Sequence, residues 1–107
     1  MNRFEDLFQR VTMLNAQLRP IEHHVGSEVR HLLYSKLWEI VAELNSALNL
    51  GLDNTALDLT AEGEQLRIHF WSGVGGSVEQ EVNILIDRAF KVQKHVKDLG
   101  TGTVTTT

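Results

Sequence analysis

Apolar residues along this chain fall into three kinds of spacing, and each predicts a different element. Phe4, Leu7, Val11, Leu14 and Leu18 recur at spacings of 3, 4, 3 and 4, one stripe of an amphipathic helix. Phe8 and Met13 widen that stripe. Pro20 disfavours α geometry in the residue before it, so the helix should stop near Arg19. A second segment from Pro20 carries Val29, Leu33, Leu37, Ile40, Leu44 and Leu48 as its main stripe, with Tyr34, Trp38 and Val41 extending the apolar arc. Gly26-Ser27 is a plausible interruption in it, with Ser27 capping a fresh helix at Glu28, and Gly51 a stop.

From Leu52 the period shortens to two. "ALDLT" and "QLRIHFW" alternate apolar and polar positions around the glycine-containing "AEGE". This predicts a β-hairpin with Leu57 and Leu59 on one strand and Leu66, Ile68 and Phe70 on the other. Beyond "HFWSGVGGSVEQE", a heptad-like stripe of Val78, Val82, Leu85, Ala89, Val92, Val96 and Leu99 predicts a C-terminal helix. Ile84 and Phe90 fall to either side of that stripe. The closing "GTGTVTTT" has no helical period and reads as a disordered tail.

The expected fold is therefore α+β: two N-terminal helices, the second long, then a β-hairpin and a C-terminal helix, with the helices packed on one face of the hairpin. Residues 1–100 make one domain and 101–107 the Thr-rich tail, in keeping with a length of 107 residues.

The glycines at 73, 75 and 76 raise the question of a phosphate cradle. A strand, a glycine loop and a helix N-terminus would supply free N–H groups and a favourable dipole. G-x-G-x-x-G is incomplete, however, since position 78 is Val, and no Lys or Arg lies between Arg67 and Arg88. Ser77 with Gln80 reads as a capping box that would use the same donors. The loop is read as a turn.

Composition narrows the chemistry further. The chain has no cysteine, which excludes disulfides, thiolate zinc sites and cysteine nucleophiles. Five histidines invite a metal reading, and His24, Glu28 and His31 would share a face if one helix ran through them. Gly26-Ser27 breaks that alignment, so these three are noted as candidates and no metal or other cofactor is expected. No G-x-S-x-G elbow or paired carboxylate spacing supports catalysis. Net charge is −4, which argues against nucleic acid as the main partner. Arg88, Lys91, Lys94, His95 and Lys97 would form only a thin basic flank on the third helix. No run approaches the length of a membrane span, and the charged start lacks the apolar centre of a secretory signal, so a cytoplasmic location is expected.

Surplus apolar surface is the sharper signal. The second helix is apolar over about half its circumference, and a third helix would carry Ile84 and Phe90 outside its stripe. The expected function is a small non-enzymatic interaction protein, a homodimer that binds another macromolecule, with Tyr34, Trp38, Ile84 and Phe90 as interface anchors. The alternative is a small-molecule binder or small enzyme whose pocket, between hairpin and helices, is lined by Trp38, Arg67, His69, Phe70 and Trp71. The first reading keeps Ile84 and Phe90 outward. The second turns His69 and Trp71 inward.

Overall fold

The structure, a computed structural model, describes residues 2–52 and 56–107. The chain divides into two compact units, one up to Leu52 and one from Asp53 onward.

The first unit is a helical hairpin. Helix α1 spans Arg3–Leu18, and its N-cap Asn2 accepts a 2.8 Å hydrogen bond from the Glu5 amide. All five residues of the expected stripe, Phe4, Leu7, Val11, Leu14 and Leu18, are buried. Pro20 sits in a 3-10 turn over Arg19–Ile21. Helix α2, Glu28–Leu48, starts where Ser27 caps it through the Arg30 amide. It buries Leu33, Leu37, Ile40, Val41 and Leu44. It ends two residues before Gly51, at Asn49, whose left-handed backbone (φ 58°) turns the chain out of the helix. Arg3, at the start of α1, pairs with Glu43 near the end of α2, so the two helices run antiparallel.

The second unit is a five-stranded antiparallel sheet in meander order: β1 Leu57–Glu62, β2 Gln65–Val74, β3 Ser77–Ile86, β4 Val92–Asp98 and β5 Val104–Thr106. The expected pair is present, with Leu57 opposite Phe70 and Leu59 opposite Ile68, but it is only the first two strands of a larger sheet. No C-terminal helix exists. Residues 77–98 are two strands, and the expected α+β arrangement of hairpin plus third helix is wrong.

The physical reason lies in the steps of the apparent heptad. A spacing of four satisfies a helix and a strand alike, as Val92 and Val96 do on β4. Only the steps of three discriminate, and each of them leaves the face or the strand. Val82 to Leu85 crosses from one face of β3 to the other, Ala89 to Val92 crosses a loop, and Val96 to Leu99 runs off β4. The true period is Val82, Ile84, Ile86, all buried and all β-branched. Asp87 ends that strand: its carboxylate accepts from the Ala89 and Lys91 amides, both at 2.9 Å, closing the loop that reverses the chain.

The Thr-rich tail is likewise ordered. Asp98 accepts from the Gly100 and Thr101 amides at 2.9 and 3.0 Å, Gly102 takes φ 75°, and the returning residues pair with β4 as β5. Across the sheet, Leu57, Leu59, Leu66, Ile68, Val82, Ile84 and Ile86 share one face and are buried, which sets the polar side chains on the other.

Candidate functional site

Alternation puts the chemistry of the second unit on the face opposite its core. The strand register aligns Asp58, His69, Asn83, His95 and Thr106 in one row across all five strands. A neighbouring row holds Trp71, Glu81, Lys97 and Val104, and a third holds Thr60, Arg67, Leu85 and Gln93.

The centre of this face is a small polar cluster. His69 Nε2 lies 3.7 Å from Glu81 Oε1, and the Asn83 amide donates to the same oxygen at 3.4 Å. The Trp71 ring meets the His69 ring edge-on, centroids 5.2 Å apart. On β4, the His95 ring nitrogen Nδ1 lies 3.0 Å from the Thr106 hydroxyl. Arg67 reaches Glu62 at 3.3 Å, an exposed pair that contributes little to stability. A histidine against a carboxylate can hold and pass a proton, and the exposed indole offers a flat apolar surface beside it.

At one end of the sheet the β2–β3 hairpin projects. Pairing with β1 stops at Phe70 and with β4 at Gln80, while β2 and β3 stay paired to the turn at Gly75-Gly76. Both glycines have positive φ, 62° and 81°, so the turn is the two-residue type that matches strand twist. The glycine loop is thus a turn, though it joins strand to strand. Ser77 and Gln80 lie in β3 and cap nothing. Below the turn, Val78 pairs with Gly73 while Gln80 pairs with Ser72, leaving Glu79 as the extra residue of a bulge. The ribbon's apolar side chains are open to solvent: Val74 is 75%, Val78 55% and Trp71 46% exposed.

No family model, curated protein or solved structure matches this chain. The functional reading therefore rests on the geometry alone.

The sequence-derived candidates are scattered by that geometry. Ile84, expected as an outward anchor, is 2% exposed in the middle of β3, because it points to the core face that a helix would not have given it. Phe90 is a half-buried loop residue with φ 57°. Tyr34 lies on α2 under the Arg30 guanidinium, 5.0 Å from its ring centre, and Trp38 stands exposed on the same helix. Arg67, His69 and Trp71 share the polar face, whereas Phe70 points to the opposite one. So the outward Ile84 of the first reading is absent, and His69 and Trp71 stand on the face of the sheet opposite its buried residues.

His24 lies in the turn before α2, with Glu28 and His31 on the helix itself. Among the described residues no three His, Asp or Glu side chains are placed to hold a metal ion. The basic flank dissolves too: Arg88 and Lys91 are loop residues, while Lys94 lies on one face of β4 and His95 and Lys97 on the other. Sequence reasoning missed Val74, Val78 and Glu81, since it placed the last two on a helix. The signal was present as a Gly-Gly pair between alternating segments. Among the described residues no helix is long and apolar enough to cross a membrane.

Proposed function

We propose that the protein is a small non-enzymatic interaction protein, an adaptor, inhibitor or regulator, which works as a homodimer and binds another protein. The observation that carries this reading is the projecting β2–β3 ribbon, with Val74 and Val78 exposed either side of its turn and Trp71 at its base. Burying a valine is worth about 1.5–3 kcal/mol, so a ribbon tip seated in a partner's cleft supplies a useful share of a binding energy. Glu79 and Glu81 lie next to that apolar strip and favour a partner with a basic rim. The cytoplasmic location belongs to the same proposal.

The test is a photo-crosslinking residue placed at Val78, with Thr12 on the exposed side of α1 as control. A discrete adduct at Val78, heavier than the chain by something other than a second copy, supports the reading. No adduct at either position, or equal labelling at both, overturns it.

A small-molecule site or small enzyme is favoured by one observation, the His69–Glu81–Asn83 cluster beside Trp71. Its expected mark is a saturable change in Trp71 fluorescence with ligand that His69→Gln removes. Unsaturable quenching, unchanged in that variant, would discard it.

A further inference from the structure

Strand β5 is the last strand of the sheet, and its hydrogen-bond phase is fixed by its neighbour. Lys94 and Thr107 exchange two bonds, at 2.9 and 2.8 Å, and the Asp98 amide donates to the Thr103 carbonyl at 2.8 Å. In an antiparallel ladder bonded pairs alternate with unbonded ones, so Thr105 turns its N–H and C=O toward Val96. Val104 and Thr106 then present theirs outward, four backbone groups spaced symmetrically about Thr105.

What would meet this edge is constrained by charge. Strand edges are normally protected by lysines, prolines or other charges. β1, at the opposite side of the sheet, carries Asp58 and Glu62. Strands β1 to β4 all contain charged residues, while β5, Val-Thr-Thr, contains none and is made of strong strand formers. An identical strand can approach it without setting like charges opposite one another. The edge is also its own complement, because a twofold axis at Thr105 sets Val104 of one copy against Thr106 of the other.

We infer that β5 pairs antiparallel with β5 of a second copy, about a twofold axis at Thr105, joining two sheets into one of ten strands. This rests on the homodimer reading and gives it a place. Each Val104–Thr106 pair exchanges two hydrogen bonds, four in all. The contact is small, which makes a weak, concentration-dependent dimer. The polar faces of both sheets become continuous, so the Asp58-to-Thr106 row of each copy runs on across the axis into the Trp71-to-Val104 row of the other.

The absence of cysteine makes the test direct. Opposed residues of an unbonded antiparallel pair sit with Cα atoms about 4.5 Å apart, within the range of a disulfide. Full-length Thr105→Cys should form a covalent dimer on mild oxidation, while Val104→Cys, whose mate is Thr106, should not. Thr106→Pro removes an outward N–H and leaves the β4 ladder intact, so it should weaken the dimer with an unchanged circular dichroism spectrum. Light scattering into the millimolar range follows mass throughout. A wild-type dimer in which Thr105→Cys fails to cross-link overturns the edge pairing and leaves the homodimer standing. A wild-type monomer overturns both. Growth beyond two chains, or equal cross-linking at 104 and 105, overturns the twofold arrangement.

Discussion

At Gly73 the chain has no room for a side chain. A Cβ there would stand 1.7 Å from the Ser77 carbonyl oxygen and 2.7 Å from its carbon, both backbone atoms that cannot swing aside. The two strands approach closely beside the bulge at Glu79, and glycine is what lets them meet. Gly75, two residues on, is needed for a different reason: space around it is open, but its φ of 62° is left-handed. Gly73→Ala should therefore lower stability by about 1–3 kcal/mol, the usual range for forced overpacking. Gly75→Asn, a residue tolerant of that φ, should stay within about 0.5 kcal/mol of wild type. Urea unfolding of the two variants decides it, and equal losses would contradict the close approach at the bulge.

Among the elements, those with a start signal and a single consistent period were legible. Helix α1 buried Phe4, Leu7, Val11, Leu14 and Leu18, although Met13, expected to widen the stripe, is exposed, and α2 began at the Ser27 cap. That cap gives a clear expectation. Ser27→Ala leaves the Arg30 amide without its side-chain acceptor and should cost about 1 kcal/mol, while Ser27→Asp should recover it. Thermal unfolding followed at the helical circular dichroism band reads both; no loss with alanine would mean the bond is not formed in solution. The elements that failed shared one physical cause. Val78, Val82 and Val92, Val96 are four apart, and four residues suit either a helical turn or two strand repeats. What separated the two lay outside the stripe: the β-branched Val82-x-Ile84-x-Ile86 run, and an Asp87 whose side chain closes a loop by bonding backbone amides. The tail was misread for a related reason, since β5 gains its order from Asp98 and from β4, partners that local composition does not display. The candidate site depends on strand pairing, which local periodicity does not display. His69, Arg67 and Trp71 lie on one side of β2 and Phe70 on the other, a separation the expected pocket did not make, and which side carries Glu81 and Asn83 depends on strands that periodicity had turned into a helix.

For the whole molecule, the useful fact is that each compact unit carries one tryptophan. Trp38 lies on α2, and Trp71 lies on β2. Replacing one indole with Phe leaves the other to report on its own unit. Leu44 is buried in the helical hairpin and Ile68 at the centre of the sheet, at 1% and 0% exposure. Both are buried, and protein interiors are close-packed, so truncation is expected to leave a cavity. In the Trp71→Phe background, Leu44→Ala should destabilise the transition that Trp38 reports by about 2–5 kcal/mol. In the Trp38→Phe background, Ile68→Val removes one methylene and should shift the Trp71 transition by about 0.5–1.5 kcal/mol. Denaturant midpoints from fluorescence test both. A shift smaller than these ranges at Ile68 would mean that the sheet core relaxes around the loss, and would weaken the assignment of Leu66, Ile68, Ile84 and Ile86 to one close-packed face.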